Sequence, residues 1–165
     1  MYILKMVLMH KMYVKNILFI HHSPSDNTKK LSKHLQSIIK KLNPNTNLIV
    51  SKAIETNVDS FNSIDGVIIG TTENFGYMSG LTKDFFDRTY EGLQNKMAGL
   101  PIFYYIRAGL DGNGCKVGID KILTGLKWRQ VLPPLILKGK WDNDFIVRLE
   151  EKSLTFVNGI EMGIY

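Results

Sequence analysis

The stretch that decides the fold is residues 17–31, Ile17-Leu18-Phe19-Ile20-His21-His22-Ser23-Pro24-Ser25-Asp26-Asn27-Thr28-Lys29-Lys30-Leu31. Its first four residues are apolar and predict a buried strand, which is followed by a turn of short hydroxyl and amide side chains. The apolar face of the next helix has the spacing i, i+4, i+7, i+8 and i+11, at Leu31, Leu35, Ile38, Ile39 and Leu42. A strand, a polar turn and a helix are therefore predicted in direct succession.

The polar turn lies where a helix begins, and there the unpaired N–H groups and the partial positive charge attract anions. Ser23, Ser25, Asn27 and Thr28 add side-chain donors at the same point. We therefore predict that this turn binds a phosphate. The alternative is helix capping without a ligand, because Ser, Asp and Asn are common N-caps and Ser-Pro often opens a turn.

The composition is that of one globular domain in the cytoplasm. The chain has 165 residues, of which 44% are hydrophobic and 22% charged. No apolar run approaches the ~18 residues of a membrane-spanning helix. Cys115 is the only cysteine, which excludes an intramolecular disulfide and a cysteine-based zinc site. The net charge of +6 comes from lysines spread along the chain, so we interpret them as solvated surface and expect no nucleic-acid partner.

Residues 1–15 are expected to form an N-terminal extension, and residues 16–165 one domain. The extension scatters lysines among apolar residues and lacks the apolar core and cleavage site of a secretory signal. It can be a short extra strand, a disordered arm, or sequence upstream of a natural start at Met12, and the sequence leaves these open.

Four further apolar stretches predict strands, at residues 47–51, 67–70, 102–106 and 131–137. Fully apolar short strands indicate burial on both faces, as in a parallel sheet covered by helices. Pro133-Pro134 would interrupt the hydrogen bonds of a central strand, so the last strand belongs at a sheet edge. Five strands alternating with helices predict a doubly wound α/β domain with strand order 2-1-3-4-5 and helices on both faces.

Three polar or glycine-rich loops, residues 21–28, 71–79 and 107–114, directly follow the first, third and fourth predicted strands. Because the carboxyl ends of parallel strands meet at one edge of a sheet, we expect these loops to converge. Ligands of such sheets bind at this edge where the strand order reverses, which here is between strands one and three.

These loops resemble those of the flavodoxin-like, FMN-dependent NAD(P)H oxidoreductases, and the resemblance runs from about residue 15 to 140. Residues 23–28, Ser-Pro-Ser-Asp-Asn-Thr, are similar to the family's S-x-S-G-N-T. Residues 70–80, Gly-Thr-Thr-Glu-Asn-Phe-Gly-Tyr-Met-Ser-Gly, are similar to G-[ST]-P-x-x-F-G-x-M-S-G and carry most of the specificity. Residues 107–112, Arg-Ala-Gly-Leu-Asp-Gly, give further support.

The resemblance implies FMN as the cofactor, with its phosphate bound by Ser23, Ser25, Asn27 and Thr28. The residues implied to line the ribityl chain and the isoalloxazine ring are Thr72, Glu73, Asn74, Phe75, Gly76, Tyr77 and Met78. The third loop is expected to contribute Arg107, Ala108, Gly109 and Gly112. Backbone N–H groups of these loops can donate to the ring and tune its potential.

Two positions depart from the family pattern. Asp26 replaces a glycine and brings a carboxylate near the phosphate, where Lys29 and Lys30 can offset it if it points outward. If Asp26 points inward, it weakens phosphate binding. Thr72 replaces a proline and is expected to loosen the second loop.

Several other side chains have two interpretations each. His21 and His22 are ligands or proton donors, or else strand-end residues satisfied by the backbone. Cys115 is a thiol that reaches the site or a small buried hydrophobe. Arg107 faces the flavin pyrimidine or a nicotinamide cofactor's phosphate, or forms a surface ion pair. Glu73 is expected to contact the flavin only through its backbone, because a carboxylate beside a ring that takes up electrons is unfavourable.

The expected function is an enzyme that passes a hydride from NAD(P)H through flavin N5 to a quinone, an azo or nitro compound, or free flavin. The cofactor carries this chemistry, so no catalytic side chain and no metal are required. One alternative is an electron carrier of flavodoxin type, against which the positive charge argues because such carriers are typically acidic. Another is a domain that has lost its flavin. The resemblance also implies a homodimer or homotetramer.

Overall fold

The computed structural model describes residues 14–165, so residues 1–13 of the predicted extension lie outside the described part. Within residues 14–165 the chain forms seven strands, four α-helices and one 3-10 helix. The strands are β1 (Lys15–His21), β2 (Thr46–Lys52), β3 (Gly66–Asn74), β4 (Tyr77–Met78), β5 (Pro101–Ala108), β6 (Arg129–Gln130) and β7 (Leu135–Lys138). The α-helices are α1 (Asp26–Leu42), α2 (Gly80–Leu93), α3 (Asn113–Leu126) and α4 (Asp144–Glu161), and the 3-10 helix is Val58–Phe61.

The sheet is parallel in the order β2-β1-β3-β5, and β6 and β7 both pair with β5 at its outer side. This confirms the predicted doubly wound fold and the order 2-1-3-4-5. The predicted number of five strands was wrong, and so was the boundary of the last one, because residues 131–134 form no strand. Strand β6 (Arg129–Gln130) ends before them, and β7 (Leu135–Lys138) begins directly after Pro133-Pro134. Proline has no N–H to donate, so the ladder is interrupted there, and the pair lies at the sheet edge as predicted.

A second boundary was wrong at the third strand, which does not end at Gly70. Strand β3 continues to Asn74 and turns back into β4, pairing Glu73 with Met78 and Asn74 with Tyr77. Residues 73–78 therefore form a tight β-hairpin, where the sequence predicted an irregular loop. We call this segment the hairpin.

The core has two halves because side chains alternate across the sheet. Ile17 and Phe19 pack beneath α1 and α4, whereas Leu18 and Ile20 pack beneath α2, α3 and the 3-10 helix. All four side chains are buried, as the apolar run 17–20 predicted. In the described part of the chain no helix has the length and apolar character needed to cross a membrane.

Candidate functional site

The first loop, residues 22–25, ends in a reciprocal cap at the start of α1. The Thr28 N–H donates to Ser25 Oγ over 3.3 Å, and the Ser25 N–H donates to Thr28 Oγ1 over 2.9 Å. Both hydroxyl groups are thus used to fix the turn, as the capping alternative proposed. The N–H groups of Asp26 and Asn27 lie in the first turn, where a helix provides no acceptor of its own. The loop therefore presents backbone donors in a shape that the cap holds rigid.

The carboxylate of Asp26 is directed away from the turn. Its side chain is 95% exposed, and Nζ of Lys29 lies 3.6 Å from Oδ1. This is the outward orientation that the sequence left open. The departure from the family's glycine therefore does not fill the anion position.

Two histidines extend β1 into the first loop. Nδ1 of His21 lies 3.0 Å from Ser23 Oγ, and the His22 N–H donates to the Gly70 carbonyl oxygen over 2.9 Å. Burial lowers the pKa of both imidazoles, and the nearby charge of Lys52 lowers the pKa of His21 further. Both rings are therefore mostly neutral at pH 7. The hydrogen bond of His22 to Gly70 is made by its backbone N–H and not by its ring, so the role of either ring as a ligand or proton donor stays a prediction.

The second loop is held firmly without the family's proline. Thr72 Oγ1 donates to Asn74 Oδ1 over 2.8 Å, and the Ser79 N–H donates to the Thr72 carbonyl oxygen over 3.0 Å. Phe75 and Gly76 form the tip with φ angles of +51° and +73°. A hairpin turn with two positive φ angles matches the twist of its strands, but a bulky residue such as phenylalanine is strained there.

The hairpin packs onto α3 through two glycines of that helix. A Cβ on Gly114 would lie 1.9 Å from the carbonyl oxygen of Gly76, and a Cβ on Gly118 would lie 2.4 Å from the Tyr77 ring. Met78 is buried in the core. The Tyr77 ring thus packs on α3. The sequence had predicted that Tyr77 would line a flavin ring.

The second and third loops are joined by Glu73. Its carboxylate accepts hydrogen bonds from the N–H groups of Leu110 (2.9 Å) and Gly112 (3.0 Å). The Asn113 N–H donates to Asp111 Oδ1 over 2.9 Å. Of these three donors, the Gly112 N–H was predicted to serve the flavin, but the Glu73 carboxylate accepts its hydrogen bond. The sequence pattern did not predict this role of Glu73, and the signal for it is a carboxylate that follows one strand while a glycine-rich helix start follows the next.

Arg107 is committed to the end of the sheet. Its guanidinium donates to the carbonyl oxygens of Ala108, Leu137 and Gly139, and lies 5.3 Å from the centre of the Phe145 ring. Burial lowers its pKa from the usual arginine range. Arg107 therefore fastens β7 to β5, and within residues 14–165 it does not form the surface ion pair that was one of its two interpretations.

The single cysteine is an unreactive core residue. Burial, and to a smaller extent the charge of Glu73, raise the pKa of the Cys115 thiol to about 12. The side chain is fully buried, which agrees with its interpretation as a small hydrophobe. Among the described residues no group of three or more His, Cys, Asp or Glu side chains could hold a metal ion.

Two apolar side chains stand exposed at the tips of the joined loops. Phe75 is 106% exposed and Leu110 is 70% exposed. Gly109 beside Leu110 has open space where a side chain would lie. One edge of the sheet therefore combines an anion-binding helix start with apolar surface on two neighbouring loops. This arrangement suits a ligand with a phosphate at one end and a flat ring at the other.

No family model and no curated protein sequence matches this chain. Oxidised flavodoxin 1 from Bacillus cereus matches in structure with a TM-score of 0.73 and 17% identity, covering 87% of this chain and 98% of that chain. A flavodoxin from the Archaea matches with a TM-score of 0.74 and 14% identity, covering 88% of this chain and 99% of that chain. The apo form of an NADH:FMN oxidoreductase matches with a TM-score of 0.70 and 19% identity, covering 88% of this chain and 89% of that chain. The chain therefore has a flavodoxin-like fold, as predicted.

Proposed function

We propose that this chain binds FMN at the edge described above and acts as an NAD(P)H-dependent oxidoreductase. The observation that carries the proposal is the capped start of α1 beside the exposed tips of the hairpin and the third loop. A strained phenylalanine that is fully exposed has no structural purpose in the isolated chain, but it has one if a ring covers it. Flavodoxins and an NADH:FMN oxidoreductase among the structural neighbours support the choice of ligand.

The residues would act at two ends of the cofactor. The N–H groups of Asp26 and Asn27 with the side chains of Ser23 and Asn27 would bind the phosphate, on a turn fixed by Ser25 and Thr28. The ring end of the site would be formed by Thr72, Asn74, Phe75, Gly76, Ala108, Gly109 and Leu110. The predicted contacts that would instead support these loops from behind are Glu73, Tyr77, Met78, Arg107 and Gly112. When bound, FMN would supply the capacity to accept a hydride from NAD(P)H and pass electrons to a quinone, an azo or nitro compound, or free flavin.

The same site would also serve an electron carrier of flavodoxin type, and several of the structural neighbours are flavodoxins. The net charge of +6 favours the enzyme, because it attracts the anionic NAD(P)H. Reduction of the bound flavin by NAD(P)H alone distinguishes the enzyme from the carrier, since a carrier requires a partner protein to reduce its flavin. The homodimer or homotetramer and the cytoplasmic location stay predictions, and sedimentation of the loaded protein tests the first of them.

The substitution Asn27→Asp tests the phosphate site. It preserves the shape of the side chain but places a negative charge beside the phosphate, and we expect the Kd for FMN to rise at least tenfold. An added carboxylate in the first turn stabilises a helix, so the loss does not arise from unfolding. The readout is the quenching of flavin fluorescence during titration.

The matched control is Asn47→Asp, which makes the same charge change in β2 at the opposite edge of the sheet. We expect its Kd for FMN to stay within twofold of the parent value. Equal affinities of the parent protein and the Asn27→Asp variant would contradict the assignment of the phosphate to this turn.

A further inference from the structure

A cleft of about 430 Å³ opens beside the first loop, on the flank that faces β2. Its walls come from the ends of β1 and β2, the first half of α1 and the start of α2. It shares His22, Ser23 and Pro24 with the first loop, but none of its lining residues belongs to the hairpin or the third loop. We call it the basic cleft. The two strands that line it are β1 and β2, whereas Phe75 and Leu110 follow β3 and β5 in the sheet order β2-β1-β3-β5.

Three lysines line the basic cleft, and two of them have acidic neighbours. Nζ of Lys29 lies 3.6 Å from Asp26, and Nζ of Lys52 lies 3.0 Å from Glu55. Lys33, one turn further along α1, has no ion pair with any residue of the described chain. Exposed ion pairs of this kind contribute little to stability, so these lysines can exchange their acidic neighbours for a bound anion. With Lys33 the cleft has an excess of positive charge.

The imidazoles of His21 and His22 also face the cleft. Burial lowers the pKa of both side chains, so at pH 7 they are neutral donors of hydrogen bonds and add no repulsion among the lysines. A dianion placed between them and the lysines would favour their protonation, which strengthens its own binding at mildly acidic pH.

The floor of the cleft is apolar. Ala53 is buried there, while Ile54 is 55% exposed and Leu81 is 38% exposed. Small-molecule sites commonly combine mostly apolar walls, a few placed charges and a volume of roughly 300–1,000 Å³. A nucleotide fits both features of the cleft, because its planar base can pack on the apolar floor while its phosphate binds the lysines.

We propose that the basic cleft binds the phosphate monoester of an adenine nucleotide, at a position separate from the FMN phosphate. The nucleotide is either free in solution or is the 2′-phosphate half of NADPH. The second source rests on the proposed function and implies that the enzyme prefers NADPH over NADH. In both cases Lys33 and Lys52 bind the phosphate, and the apolar floor carries the base.

Calorimetric titration of the full-length protein with 2′-AMP and with 5′-AMP tests this proposal. We expect binding that weakens as salt is raised, because screening acts on exposed charges. Tighter binding of 2′-AMP than of 5′-AMP assigns the cleft to NADPH. Equal affinities, or tighter binding of 5′-AMP, assign it to a free nucleotide. Absence of binding by both nucleotides would overturn the proposal.

Lys33→Ala is the variant that locates the binding, and Lys40→Ala is its control. Both lysines are exposed on α1 and seven residues apart, but only Lys33 lines the cleft. We expect Lys33→Ala to weaken binding of the preferred nucleotide about tenfold, as for loss of one charge-assisted contact, and Lys40→Ala to leave it within twofold. Equal effects of the two variants would contradict the location.

Titration of FMN on the same variants separates the two sites. We expect Lys33→Ala to keep the parent affinity for FMN within twofold. If Lys33→Ala weakened FMN and the nucleotide by the same factor, the cleft would be part of the flavin phosphate site and the proposal would be wrong. A parent protein that binds 2′-AMP or 5′-AMP but not FMN would remove the proposed function and leave the cleft assignment standing.

Discussion

At the scale of single residues, Glu73 links two loops that lie 37 residues apart in the chain. The helix α3 begins at Asn113, and its N-cap residue Gly112 has no side chain that could cap the helix. The amides of Gly112 and of Leu110, just before it, would lack these acceptors without Glu73. The Glu73 carboxylate accepts two hydrogen bonds at this point and brings a negative charge to the positive end of the helix. It thereby caps α3 from another element and fixes the distance between the two loop tips.

Glu73→Ala removes this cap. We expect the free energy of unfolding to fall by about 1.5–3 kcal/mol, the range for hydrogen bonds to a charged group. Amide exchange at Leu110 and Gly112 should accelerate more than exchange in the strands, and FMN should bind more weakly because its ring site loosens. Glu73→Gln keeps one acceptor oxygen and should lose less than the alanine variant. Unchanged exchange at both amides would contradict the capping role.

The sequence placed Glu73 and Arg107 at the edge of the sheet but did not predict the protein groups that their side chains bind. Their positions follow from the strand pattern, because Arg107 directly follows the apolar residue Ile106, and Glu73 comes four residues after the apolar run that ends at Ile69. Their partners depend on which backbone groups remain unpaired after folding, namely the amides of Leu110 and Gly112 and the carbonyls of Leu137 and Gly139. A motif does not report those unpaired groups.

At the scale of elements, the glycines of α3 explain why the hairpin lies flat on the helix. Gly114 accommodates the carbonyl group of Gly76, and Gly118 accommodates the ring of Tyr77. A third glycine, Gly125, faces the end of the Tyr90 side chain, whose hydroxyl oxygen lies 2.1 Å and whose nearest ring carbon lies 3.1 Å from where a Cβ would lie. The first contact is with backbone and cannot yield without moving the hairpin, whereas the last is with a flexible side chain.

Gly114→Ala should therefore displace the hairpin. We expect a cost of about 1–3 kcal/mol from overpacking, which exceeds the gain of about 1 kcal/mol in helix propensity. The melting temperature should fall by roughly 2–4 °C per kcal/mol lost. Gly125→Ala is the matched control on the same helix and should be neutral or stabilising. Equal melting temperatures of the two variants would contradict the claim that the hairpin's close approach to α3 requires glycine at position 114.

The elements that the sequence mispredicted share a physical cause. Residues 71–74 are polar, so the apolar pattern of the strand ends before the strand does, and the hydrogen bonds between β3 and β4 carry it further. In the same way the apolar run 131–137 continues across Pro133-Pro134, although proline cannot support the ladder. Hydrophobic pattern reports burial, and the exact extent of a strand depends on its hydrogen-bonding partners.

At the scale of the whole molecule, the strand order and the convergence of the three loops were predictable. Apolar strands alternate with amphipathic helices, and parallel connections have a fixed handedness, so few arrangements remain. The same argument brings the first loop and the hairpin to the point where the strand order reverses. The identity of the ligand does not follow from this frame, because one fold serves many functions.

The measurement that tests the central claim most directly is the absorbance spectrum of the purified protein on addition of FMN and then of NADPH, without oxygen. We expect FMN to bind with a shifted flavin spectrum, and NADPH to bleach its visible bands without any partner protein. A protein that leaves the FMN spectrum unchanged would contradict flavin binding at this site. Bound FMN that neither NADPH nor NADH bleaches would contradict the oxidoreductase and favour the electron carrier.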